Sequence, residues 1–165
     1  MTKSAINYQK TLEHLISLPL NQDSAQQFFD LACDWKLLGR SDKALFCYGS
    51  ALSFYENKVD DYEIACDIAI AMGHLYRGLG HHKHCRQHYF KSLKISRVYD
   101  TDTGKTGECF YHLATLAEQT WNIQIALKFY DSSISVYDSL NEGDMVHQIK
   151  HIREKCNQKL DIHIK

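Results

Sequence analysis

Donor atoms for metal chemistry crowd one stretch of this chain, His81-His82-Lys83-His84-Cys85, with His88 one helical turn further on. Imidazole and thiolate are the ligands zinc and copper prefer. His84 and His88 stand four apart, which puts both rings on one face of a helix. Convergence of three or four such ligands would make a metal- or redox-responsive sensor. Six cysteines (Cys33, Cys47, Cys66, Cys85, Cys109, Cys156) could also carry redox chemistry. None forms a CxxC pair, and most fall on apolar helical stripes, so reduced thiols packing as small hydrophobes are expected. The segment DTGKTGE around Gly104 and Gly107 has the glycines of a phosphate loop. It lacks the GxxxxGK[ST] spacing and follows no apolar strand, so a turn leading into a helix N-cap explains it. No nucleophile elbow and no HExxH occurs. The expectation is therefore no enzyme, no catalytic residue, no cofactor and no specific metal site.

Composition narrows the function classes further. The 165 residues carry a net charge of -1, and the basic residues are scattered, which argues against a nucleic-acid partner. No apolar run approaches the roughly 20 residues that span a bilayer, and the N-terminus has no signal-peptide pattern. Those features predict a cytoplasmic protein with no membrane partner. One proline and eight glycines leave long helices as the natural elements.

Internal repetition organises those helices. Phe28, Ala69 and Phe110 are spaced 41 residues apart, as are Leu31, Met72 and Leu113, then Ala32, Gly73 and Ala114. Trp35, Tyr76 and Ala117 follow, with Gly39 and Gly80 matching before the register reaches Trp121. Ala44, Cys85 and Ala126 open the second half, ahead of Tyr48, Tyr89 and Tyr130, then Ala51, Ser92 and Ser133, and Leu52, Leu93 and Ile134. Each unit reads as two helices. Gly39 stops the first at a C′ position, and Ser41 is expected to N-cap the second. Small residues at 32, 44 and 51 let paired backbones approach while Trp35 and Tyr48 fill the space beside them. One such pair cannot bury its own apolar faces, so neighbours must stack. Cys85 in the Ala44/Ala126 column should point inward, and His81 and His82 fall in the turn. The register thus splits the histidine cluster.

These segments resemble the tetratricopeptide family: an aromatic, Leu with a small residue, a second aromatic, Gly, then Ala, an aromatic and Ala. FFDLACDWKLLGRSDKALFCYGSALSFY supplies nearly all of it; the third unit departs, with Ala117 for the aromatic and Trp121 for the glycine. The common unit is about 34 residues long, so the 41-residue step resembles the long variant of kinesin light chains, Leu-Gly-Asn-type adaptors and bacterial peptide-sensing regulators. An acidic cap leads into the later units of that variant, as in DDYEIACD and DTDTGKTGE. The resemblance implies an all-α fold, a right-handed superhelical solenoid of three helix-turn-helix repeats in one domain over 1–165. The repeats are expected at 25–58, 66–99 and 107–140. Capping helices flank them at 4–18 (Ile6, Leu12, Leu15, Ile16) and 143–162 (Met145, Ile149, Ile152, Cys156, Leu160).

It also implies a function: a non-catalytic module, an adaptor, chaperone or regulator, that holds a protein or peptide ligand in its concave groove. Carried over by column, the groove positions are Gln26, Phe29, Cys33 and Lys36, then Asp67, Ile70, His74 and Arg77, then Glu108, Tyr111, Thr115 and Glu118. The column Phe29, Ile70, Tyr111 is apolar throughout and forms either an exposed stripe or, where the extended helices close over it, part of the superhelix interior; Lys36 and Arg77 suit an acidic stretch of the ligand. Domains of this family that clamp chaperone C-termini use Lys, Asn and Arg at columns occupied here by Phe29, Cys33, Ala71, Glu108 and His112, so that activity is not implied. Two alternatives stand beside the leading one: an architectural homo-oligomer that self-associates through its convex face or its end helices (a homodimer through the terminal helices being one form), and a metal- or redox-responsive sensor built on His81 to Cys85.

Overall fold

A computed structural model describes residues 3–56, 58, 61–99, 103–120 and 122–163, with side chains for 6–159. Among the described residues there are eight helices and no strand: α1 (Lys3–Ser17), α2 (Gln22–Leu37), α3 (Ser41–Tyr55), α4 (Tyr62–Gly78), α5 (His82–Val98), α6 (Gly104–Gln119), α7 (Ile123–Ser139) and α8 (Gly143–His163). α2 packs on α3, α4 on α5 and α6 on α7, and each pair stacks on the next. No described helix is long and apolar enough to cross a membrane.

Helix ends follow from local chemistry. Asn21 begins α2 with a reciprocal capping box: its side chain accepts from the Ser24 N–H at 2.9 Å, and the Ser24 hydroxyl accepts from the Asn21 N–H at 2.9 Å. α2 and α4 stop at Gly39 (φ 67) and Gly80 (φ 73), left-handed positions that glycine takes without a Cβ penalty. Both ends are Schellman motifs. Arg40 N–H donates to the Trp35 carbonyl at 2.9 Å, and His81 N–H to the Tyr76 carbonyl at 2.9 Å. The same closure recurs after α6, from Asn122 to Ala117, and after α7, where Asn141 takes φ 59.

Several expected caps differ. Ser41 is the first residue of α3 rather than its cap: Arg40 holds that place, with φ -95 and ψ 71, and makes no side-chain capping bond. The preceding Schellman turn runs directly into α3 and leaves no extended residue to present a hydroxyl. Asp61 and Thr103 likewise precede α4 and α6 without side-chain capping bonds. Asp60, Asp100, Thr101, Asp102 and Trp121 lie outside the described residues.

Packing follows the 41-residue columns. Ala44, Cys85 and Ala126 are fully buried, as are Tyr89 and Tyr130, with Tyr48 at 2% exposure. Where one helix gives up volume its partner supplies it. Gly107 on α6 lets the Tyr137 ring come within 2.7 Å of where a Cβ would stand. In the preceding unit the equivalent pair is Cys66 and Ser96, both buried and 3.5 Å apart. The flanking helices cover the ends. α1 contributes Leu12, Leu15 and the Tyr8 ring, edge-on to Trp35 at 5.8 Å. Ile6 and Ile16, expected on that buried face, are instead exposed, because a single neighbouring helix covers only a narrow stripe of α1. α8 buries Val146, Ile149 and Cys156, with Met145 and Ile152 half-buried beside them; the side chain of Leu160 lies outside the described residues.

Candidate functional site

The first helices of the three pairs carry the expected groove positions, and their state differs column by column. Phe29 is half-buried against Tyr48, ring centres 6.0 Å apart, and the Cys33 thiol lies 3.4 Å from the Tyr48 hydroxyl. Lys36 is exposed. Tyr111 is half-buried and sits 6.1 Å from Tyr130. Thr115 donates its hydroxyl to the His112 carbonyl of its own helix at 2.9 Å. Glu118 accepts from the Tyr130 hydroxyl at 2.9 Å and pairs with Lys159 of α8 at 2.6 Å. Gln26 accepts from the Tyr55 hydroxyl at 3.2 Å. Asp67 pairs with Lys105 at 2.8 Å, tying α4 to α6.

Ile70 overturns the idea of a continuous exposed apolar stripe. It is 5% exposed and belongs to a buried cluster with Cys85, Tyr89, Cys109, Leu113 and Leu116. The physical cause is three residues away. A Cβ on Gly73 would stand 2.5 Å from the Tyr89 ring, so the glycine admits that ring deep between α4 and α6. The pair closes over Ile70, and Phe29 and Tyr111 are left as separate half-buried aromatics.

That same ring packs against a polar constellation that joins α4 to α6. Tyr89 stacks on His112 at 5.3 Å and 18°, and meets His74 edge-on at 5.8 Å. His74 and His112 are 4.4 Å apart between ring centres. Arg77 Nη1 lies 3.5 Å from His112 Nδ1, and His112 Nε2 lies 3.3 Å from Glu108 Oε1. A guanidinium can only donate, so Nδ1 accepts and the proton sits on Nε2, donated to Glu108. Burial pulls His74 down to about 4, helped by His112, Arg77 and Lys36 against the pull of Glu108. The hydrogen bond from His112 holds the Glu108 carboxyl below its ordinary range. At neutral pH the site therefore combines neutral His74, an ionised Glu108 and the Arg77 cation. Sequence reasoning placed His74, Arg77 and Glu108 among the groove positions and met His112 only as a chaperone-clamp column, without joining it to the other three. Its signal was the one-turn spacing from Glu108.

The histidine cluster of α5 does not converge. His84 and His88 both stack on Tyr76, at 5.1 Å and 5.2 Å, while His81 meets that ring only edge-on at 6.3 Å. Cys85 is fully buried, and burial raises its thiol pKa. Burial pushes Cys47 and Cys109 up to about 12. Thiols so protonated are poor nucleophiles and poor metal ligands. On the second-helix face lies a separate depression lined by Glu56, Phe90, Lys91, Ile95, Val98 and Tyr99.

No family model matches the chain, and no curated protein matches it in sequence. Solved structures do match. The chain is similar to the apo form of RapI, with TM-score 0.80 and 11% identity over 96% of this chain, and it spans 57% of the RapI chain. It is similar to BtubC (BKLC) from P. vanneervenii at TM-score 0.64 and 14% identity, covering 96% of this chain and 74% of that one. MamA matches at TM-score 0.55 and 12% identity, covering 93% and 86%. Identities this low carry the fold and nothing finer: the chain is a tetratricopeptide-like helical-repeat solenoid.

Proposed function

We propose that the chain is a non-catalytic protein-interaction module that takes a protein or peptide ligand across the first-helix face of α2, α4 and α6. One observation carries the reading. Half-exposed aromatic and polar side chains from successive first helices share that face, with Arg77, His74 and His112 in contact between α4 and α6 and Lys36 exposed on α2. Repeat arrays use such extended faces for binding. The 41-residue period is the reason for placing the chain with the long tetratricopeptide variant. Phe29 and Tyr111 are the apolar anchors in this reading, and Lys36 and Arg77 attract acidic ligand side chains, chiefly through association rate and register. Glu118 is engaged by Tyr130 and Lys159, so its part is to hold the face rather than to contact the ligand.

The test compares two sets of variants in a pull-down read by mass spectrometry. Phe29→Ala, Tyr111→Ala and Lys36→Glu should lose the protein that the unaltered chain retains. Phe46→Ala and Phe90→Ala, exposed on second helices, should keep it. The opposite pattern contradicts the proposal.

A further inference from the structure

We propose that His74, Glu108 and His112 form a binding site for a divalent first-row transition metal, zinc foremost, that bridges α4 and α6. Among the described residues this is the one group of three such ligands whose donor atoms all lie within 4.8 Å of one another. His74 comes from α4; Glu108 and His112 come from one turn of α6. Zinc bonds to imidazole and carboxylate are about 2.0–2.2 Å, which sets two ligands of a tetrahedral site roughly 3.3 Å apart. His112 Nε2 and Glu108 Oε1 already stand at 3.3 Å. His74 Nε2 is out of contact with solvent and has no hydrogen-bond partner, an unusual state for a buried ring nitrogen. A metal ion supplies that partner.

Donor chemistry selects the metal class. Two imidazoles and one carboxylate suit zinc, cobalt or nickel, whereas magnesium and calcium want oxygen ligands. Three protein ligands leave a fourth position for water or for a side chain of a bound ligand. The Glu108 side chain is 42% exposed, so an ion can reach the site from outside. Tyr89, admitted by Gly73, stacks on the His112 ring and fixes its plane. Binding has a definite cost. The metal replaces the Nε2 proton of His112, and the ring stays neutral by carrying a proton on Nδ1 instead. Nδ1 then no longer accepts from Arg77, whose guanidinium must swing away. Arg77 therefore opposes metal binding, both as a cation and as a donor.

The proposal stands apart from the groove reading, because metal alone is the probe and no protein ligand enters the test. The full chain is titrated with zinc against a chromophoric chelator, and with cobalt followed by its visible d–d bands. One ion per chain is expected, with cobalt bands free of thiolate charge transfer. Glu108→Gln and His112→Ala should each weaken binding at least tenfold, while the double variant His81→Ala/His84→Ala leaves it unchanged. Arg77→Ala should tighten it severalfold, which an adventitious surface site would not do. Circular dichroism confirms that each variant is folded, and the cobalt spectrum of the unaltered chain gives a readout free of any mutation. Failure to bind zinc at micromolar concentration, or loss of binding in the His81/His84 variant alone, overturns the proposal.

Discussion

Gly73 and Gly49 occupy the interior of equivalent-looking helices, yet the same substitution should act on them in opposite directions. A Cβ at Gly49 meets nothing within 4 Å, whereas one at Gly73 would strike the edge of the buried Tyr89 ring at Cε1 and Cδ1. Gly49→Ala should stabilise the fold by about 0.5–1 kcal/mol through helix propensity. Gly73→Ala gains the same term but must displace a packed ring, so we expect a net loss of about 1–3 kcal/mol in chemical denaturation. From sequence, column 32/73/114 called only for a small residue. Why the middle unit has glycine depends on how far Tyr89 drops between α4 and α6, a distance no spacing rule supplies. Ile70 shows the same gap. Its column faces the groove by register, but its burial is decided by that ring, so Ile70→Ala should cost about 2–5 kcal/mol in stability rather than act on binding alone. His88 offers a titration test. It is half-buried against Tyr76 of α4, with Lys91 and His84 of its own helix beside it and Glu56, at the end of α3, paired to Lys91. Burial, Lys91 and His84 hold its pKa below the ordinary imidazole value of about 6.5. The unfolded chain takes up a proton there that the folded chain refuses, so stability is full above that value and falls as pH drops below it. His88→Gln should shrink the difference in urea stability between about pH 7.5 and about pH 5; an unchanged difference contradicts this.

At the scale of elements, the helix pairs were legible because each depends on local or columnar information. Gly39 and Gly80 announce left-handed helix ends, and both take them. The Ala44/Cys85/Ala126 and Tyr48/Tyr89/Tyr130 columns announce the pair interface, and all six are buried. Caps were less legible. Ser41 looks like an N-cap by type, but the tight Schellman turn places the helix start at that residue and leaves Arg40 in the cap position. The end helices show the limit of periodicity: an amphipathic stripe says which face is apolar, not how much of it a single neighbour covers. Thus Leu15 is fully buried while Ile16 is 57% exposed. α8 seals the last pair through Ile149, 1% exposed, and through Arg153 bound to Asp131. Ile149→Ala should destabilise by about 2–5 kcal/mol. Arg153→Ala, at a largely exposed pair, should stay within about 1 kcal/mol.

For the whole molecule, successive first helices share one face, and cross-helix contacts at its centre join α4 to α6 through Lys105–Asp67 and Arg77–His112. In the proposed function this face, and not the second-helix face with its exposed Phe46 and Phe90, receives a protein ligand. Hydrogen–deuterium exchange of the chain with and without the protein it captures reads this directly. Added protection should concentrate on 26–36, 67–77 and 108–118, in α2, α4 and α6. Protection confined to α3, α5 and α7 would contradict the claim.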